Sequence, residues 1–135
     1  MEQQPGTALI VEDSPLFRRM LSDLLHSEGF TRVVEASSGR AALELLDGHP
    51  PPALVCLDLT LPDISGYEVC EHIRASPALQ DVPVLMISAR TQTMDRAQAE
   101  EAGASGYLIK PFSSEEFHQQ VERVMAARPR KETSA

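Results

Sequence analysis

Five short apolar runs, each followed by a stretch whose apolar residues recur at helical spacing, limit what this chain can fold into. The runs fall at residues 7–11, 31–35, 53–57, 82–87 and 106–109. Ser14-Pro15 supplies an N-cap hydroxyl and a proline suited to the first helical position. Leu16, Phe17, Met20, Leu21, Leu24 and Leu25 then mark one helical face, and Gly29 ends it. Ser37-Ser38 opens a second helix with Ala41, Ala42, Leu45 and Leu46 on one side, stopped by Gly48 and the prolines at 50–52. Further helices are predicted at 65–75, 93–102 and 113–127, the last opened by Ser113 or Ser114 with Glu116 or Glu115 nearby. The third run, Ala-Leu-Val-Cys-Leu, has no polar alternation, which fits a parallel strand covered on both faces.

This (βα)5 order predicts an α/β protein with a parallel sheet. Right-handed crossovers place helices on both faces, a doubly wound arrangement. The flavodoxin-like strand order 2-1-3-4-5 is the common solution for five strands, with the ligand site outside the carboxyl ends of strands one and three. Residues 7–127 are predicted to form one domain, with 1–6 and 128–135 as flexible ends. A chain of 135 residues suffices for a hydrophobic core. A net charge of −8 argues against non-specific nucleic-acid binding by this domain, and Arg128-Pro-Arg-Lys131 is too short to reverse that. There is neither an apolar stretch of 18 residues nor a signal-peptide pattern, so no membrane association and a cytoplasmic location are expected. Cys56 and Cys70 read as reduced, buried small hydrophobes.

Charged groups cluster at the ends of the predicted strands. Glu12-Asp13 closes the first run, Asp58 the third, and Lys110-Pro111 the fifth. Strands one and three are neighbours in the expected order, about 4.8 Å apart, so their carboxylates are forced together. At ~5 Å and an effective dielectric of ~20, each pair of carboxylates repels by ~3 kcal/mol. A hard divalent cation with oxygen ligands, Mg²⁺, would compensate. The Lys110-Pro111 bond is expected to be cis, since X-Pro bonds prefer trans by only ~0.5–1 kcal/mol and the turn must aim Lys110 back over the site.

Four sequence pieces, in order, resemble the receiver domains of two-component response regulators. They are Val11-Glu12-Asp13-Ser14, the stretch from Leu57-Asp58 to Pro62 and Gly66, Met86-Ile87-Ser88-Ala89, and Gly103-Ala-Ser-Gly-Tyr107-Leu-Ile-Lys110-Pro111-Phe112. The last is similar to chemotaxis-type regulators. The resemblance implies that Asp58 is the phosphoacceptor and that Glu12, Asp13, Asp58 and the backbone carbonyl of Thr60 hold Mg²⁺. It implies that Lys110 meets a phosphate oxygen, that Ser88 and Tyr107 form the switch, and that Pro62, Gly66 and Pro111 shape the loops. The implied partners are a sensor histidine kinase or a histidine phosphotransfer protein and a downstream protein target. The implied output surface is the fourth helix, fifth strand and fifth helix.

Thr60 and Arg90 lie where the family varies and are expected to tune the access of water to the phosphoryl group. Receivers joined to winged-helix DNA-binding domains carry an acidic residue just before the tyrosine. Here that residue is Gly106, so a monomer or a weak phosphorylation-dependent dimer is expected. On this reading the chain is a signalling switch, not an enzyme with an external substrate. An aspartyl phosphatase or phosphotransferase is disfavoured because Asp58-Leu-Thr60 lacks a second carboxylate. A degenerate interaction module is disfavoured because every expected pocket position is filled. Flavin binding is disfavoured because no glycine- or hydroxyl-rich loop follows the first strand.

Overall fold

The computed structural model describes residues 6–89 and 93–127, with the side chains of Thr93 and Met94 left aside. The elements are β1 (Thr7–Val11), α1 (Pro15–Ser27), β2 (Arg32–Ala36), α2 (Gly39–Asp47) and β3 (Leu54–Asp58). They continue with α3 (Gly66–Ala75), β4 (Val84–Ser88), α4 (Thr93–Ala102), β5 (Gly106–Ile109) and α5 (Ser114–Ala126). All strand pairs are parallel and the sheet order is β2-β1-β3-β4-β5, the flavodoxin-like arrangement the alternation predicts.

Local chemistry sets the helix starts. Ser14 Oγ accepts from Phe17 N–H, with Pro15 at the first turn, where its missing donor is no loss. Ser65 with Glu68, and Ser113 with Glu116, form reciprocal capping boxes, which settles the start of α5. Gly29 turns the chain out of α1 at φ 103°, a conformation L side chains resist.

Alternation along the strands separates two apolar layers. Leu9, Val11, Val55, Leu57, Val84, Met86 and Tyr107 pack with α2, α3 and α4. Ala8, Ile10, Leu54, Cys56, Leu85, Ile87 and Leu108 pack with α1 and α5. Fully buried Phe117 anchors α5 in the second layer and contributes about 1.5–3 kcal/mol. By contrast, the apolar residues of α4 buried among its described side chains are Ala99 and Ala102, both small. The helix is also joined to its surroundings through the Asp95 carbonyl, which accepts from the Tyr67 hydroxyl at 3.2 Å, and through Arg96 over the Tyr107 ring. Cys56 and Cys70 are both buried free thiols, one in each layer.

Strand limits differ slightly from those expected from the sequence. β2 and β3 each run one residue further along the chain, so Asp58 is the last residue of its strand and pairs in register with Ile87. β4 begins at Val84 because Pro83 has no N–H to give a ladder; its carbonyl still accepts from Val55 N–H at 3.0 Å.

Candidate functional site

The carboxyl ends of β1, β3 and β5 bring Glu12, Asp13, Asp58 and Lys110 together. Glu12 N–H donates to the carbonyl of Ala36 at 3.0 Å, extending the β1–β2 ladder and fixing the residue just past the strand. Glu12 is buried at 2% exposure, and Asp58 at 7%; Asp13 is exposed. Ligand oxygens of the three carboxylates lie within 4.8 Å of one another. Lys110 Nζ donates to Glu12 Oε1 at 3.1 Å and to Asp58 Oδ2 at 3.2 Å. The other oxygen of Asp58 accepts from Thr60 N–H at 3.0 Å. The Lys110-Pro111 peptide is cis, as the sequence predicts.

Crowding shows in the acid–base balance. Burial pushes the Glu12 carboxyl up to about 7, and a hydrogen bond and charge repulsion from Asp58 add to the rise. The Ser14 N–H and the Lys110 ammonium act against it. One lysine shared between two buried carboxylates does not neutralise a three-carboxylate cluster. That donor set, all hard oxygen with one exposed carboxylate on the open side, fits Mg²⁺, which keeps several waters and takes one or two carboxylates.

The remaining expected residues fall as follows. Ser88 ends β4, is 1% exposed and lies in register with Ile109. Tyr107 pairs in register with Met86, two residues before Ser88 and on the same sheet face. The Tyr107 ring is already buried in this structure, with the Arg96 guanidinium 5.2 Å from its centroid. Any switch through this tyrosine therefore starts from a packed ring and not from an exposed one. Gly66 leaves no room for a side chain: a Cβ there would overlap the Asp58 carbonyl and come within 2.8 Å of Leu59 Cα. Its N–H donates to the Leu59 carbonyl at 2.8 Å, closing the loop behind Asp58. Pro62, Thr60 and Pro111 are exposed on the loops that rim the site. Arg90 lies outside the described residues.

Four further residues, Phe17, Phe112, Arg18 and Asp63, surround the site. Phe17 lies under Lys110, whose Nζ is 4.1 Å from the ring centroid, a cation–π contact of about 0.5–2 kcal/mol. That ring meets Phe112 edge-on, and Phe112 stacks on Phe117, so the lysine rests on an aromatic column rising from the core. Arg18 donates to the Glu12 carbonyl at 2.9 Å and to Glu35 Oε1 at 3.1 Å. Asp63 accepts backbone N–H groups from α2, and these, the Arg40 N–H above all, hold its carboxyl down at about 2. The sequence marks Phe17 and Phe112 as apolar and Arg18 and Asp63 as charged, but no local pattern pairs them with partners in other elements. The histidines make unrelated bonds; His118, for example, joins α5 to Glu28 at the end of α1.

The family described as "Response regulator receiver domain" matches residues 8–122. The chain belongs to this family of two-component signalling domains. It is 34% identical over 116 residues to the chemotaxis protein CheY of Pseudomonas aeruginosa, covering 86% of this chain and 93% of that one. It is 37% identical over 117 residues to the phosphate regulon transcriptional regulatory protein PhoB of Escherichia coli, covering 87% of this chain and 50% of PhoB. The chain spans about half the length of the transcriptional regulators it matches. Among solved structures, it is similar to the receiver domain of the sensor histidine kinase PA1611 from Pseudomonas aeruginosa PAO1, determined with a magnesium ion in its active-site cleft. That match has a TM-score of 0.79 at 28% identity and covers 89% of this chain and 97% of the other. No helix among the described residues is long and apolar enough to cross a membrane.

Proposed function

We propose that Asp58 accepts a phosphoryl group from a phosphohistidine on a histidine kinase or phosphotransfer protein, and that the acyl phosphate sets the state of a signalling switch. The observation that carries this reading is the placement of Asp58. It is a buried carboxylate at the end of the central strand, touched by Lys110 and flanked by Glu12 and Asp13. An oxygen of Asp58 attacks phosphorus, the phosphorus–nitrogen bond to the donor imidazole breaks, and the ring nitrogen keeps the electron pair. Lys110 offers a point cation to a phosphoryl oxygen, and the Thr60 N–H orients the nucleophile. Glu12, Asp13, Asp58 and the Thr60 carbonyl would hold Mg²⁺. When bound, the ion offsets the negative charge gathered by the carboxylates and the phosphoryl oxygens. Attack of water on the phosphorus later restores the carboxylate, so the chain turns over only its own modification.

The test is uptake from acetyl phosphate. With Mg²⁺ the protein gains one acid-stable, hydroxylamine-labile phosphoryl group; with the metal chelated, uptake falls away. Uptake that ignores chelation would refute the assignment of the acidic cluster.

Output runs through Ser88. A phosphoryl group on Asp58 supplies ionised acceptors, and hydrogen bonds to such acceptors are roughly twice as strong as neutral ones. Ser88 donates to one, the space it leaves changes the packing of Tyr107 on the same sheet face, and α4 shifts with β5 and α5. A downstream protein that prefers this state by ~1–3 kcal/mol is recruited or released. Ser88→Ala is expected to keep phosphorylation and lose most of this coupling. Amide shifts with and without beryllofluoride, a phosphoryl mimic, report it. A full response across residues 93–112 in the variant would remove Ser88 from the mechanism.

A further inference from the structure

The loop between Asp58 and α3 is held at three points. At its start Thr60 N–H binds Asp58 Oδ1, and at its end Gly66 N–H binds the Leu59 carbonyl. At its apex Asp63 reaches across to α2. Oδ1 accepts from Gly39 N–H at 2.9 Å and Oδ2 from Arg40 N–H at 2.9 Å, while Oδ1 also takes Ile64 N–H at 2.8 Å. Gly39 and Arg40 open α2, so their N–H groups have no partner inside the helix. The N-cap Ser38 serves the next one, Ala41, at 3.1 Å. The fit is close on the other side as well, since a Cβ on Gly39 would overlap Ile64 Cγ1.

This contact closes a ring around the acidic cluster. Glu12 is tied to Ala36 at the end of β2, a short turn leads from Ala36 to Ser38 and α2, Asp63 ties α2 to the loop, and Thr60 ties the loop to Asp58. The two sides of the proposed cation site, Glu12-Asp13 and Asp58-Thr60, are thereby joined by a link through the end of β2 and α2, in addition to the direct β1–β3 pairing.

We propose that Asp63 is a positioning residue for the cation site, holding the loop so that Asp58 and the Thr60 carbonyl face Glu12 and Asp13. This rests on the reading of Asp58 as a Mg²⁺-dependent phosphoacceptor. Asp63 acts through the loop, its two oxygens accepting the backbone N–H groups that tie the loop to α2.

The discriminating comparison is Asp63→Ala against Ser38→Ala. Each removes one side chain that caps α2, but only the first unties the loop. In metal-free protein, Asp63→Ala is expected to speed hydrogen exchange at the Gly39 and Arg40 amides. Followed by amide shifts or calorimetry, its Mg²⁺ affinity is expected to fall about tenfold, as for loss of partners that orient metal ligands. Ser38→Ala is expected to lose stability with its Mg²⁺ affinity unchanged. Unchanged affinity in Asp63→Ala, or equal weakening in Ser38→Ala, overturns the proposal. If Asp63→Ala does not fold, Asp63→Asn, which keeps one acceptor and loses the charge, takes its place: weaker binding supports the role and unchanged binding overturns it. Wild-type protein that takes no Mg²⁺ would sink the phosphoacceptor reading and this role together. Wild-type binding that Asp63 variants leave intact sinks this role alone.

Discussion

Asp58→Asn is expected to abolish phosphorylation, from acetyl phosphate and from a phosphohistidine donor alike. Asparagine keeps the shape of the side chain and can still accept from Thr60 N–H, so the loop behind it is preserved. What changes is the chemistry: an amide is not a useful nucleophile toward phosphorus, and Lys110 loses one of its two carboxylate partners. The substitution also removes one negative charge from a cluster in which each pair repels by up to ~3 kcal/mol at ~5 Å with an effective dielectric of ~20. Metal-free Asp58→Asn is therefore expected to melt no lower than wild type, so absent labelling cannot be put down to unfolding. Undiminished labelling of this variant would assign the phosphoryl group elsewhere.

Lys110→Ala carries the second large effect. Among the described residues, Lys110 is the cation in contact with both Glu12 and Asp58, and its side chain is only 22% exposed. Without it a phosphoryl oxygen loses a preoriented charged donor, and loss of one such donor lowers rates by roughly a hundredfold. The same change leaves two buried carboxylates without their shared cation. Breaking a fully buried pair costs about 3–5 kcal/mol; partial exposure reduces that here to about 1–3 kcal/mol. Metal-free Lys110→Ala is thus expected to be clearly less stable than wild type, and Mg²⁺ to restore more stability to the variant than it adds to wild type. Thermal melts with and without Mg²⁺ measure this, and equal Mg²⁺ increments in the two proteins would contradict it.

Much of this was legible in the sequence, for a physical reason. Residues that end parallel strands converge whatever the details of packing, so Glu12, Asp13, Asp58, Ser88 and Lys110 could be placed on one rim from strand order alone. Capping hydroxyls act within one helical turn, so Ser14 was readable; Ser113 and Ser114 are adjacent hydroxyls, and only the observed capping box separates them. Contacts between distant elements were not readable. Lys110 on Phe17, Arg18 on the Glu12 carbonyl and Asp63 on α2 depend on how helices pack across the sheet edge, which no local spacing encodes. The burial of Tyr107 belongs to the same class: its neighbour Arg96 comes from α4, on the other side of a loop. Strand limits moved by a residue or two because pairing, and not apolarity, defines them; Val82 is as apolar as Val84 but precedes a proline.

The central claim is that the phosphoryl group sits on Asp58. Borohydride reduces an aspartyl phosphate to homoserine, which marks the modified position permanently. The protein is incubated with acetyl phosphate and Mg²⁺, reduced, digested and sequenced by mass spectrometry, beside a sample with the metal chelated. The expected result is homoserine at position 58 in the Mg²⁺ sample and aspartate there in the chelated one. Homoserine at position 13, or phosphorylated protein with aspartate intact at position 58, would contradict the account.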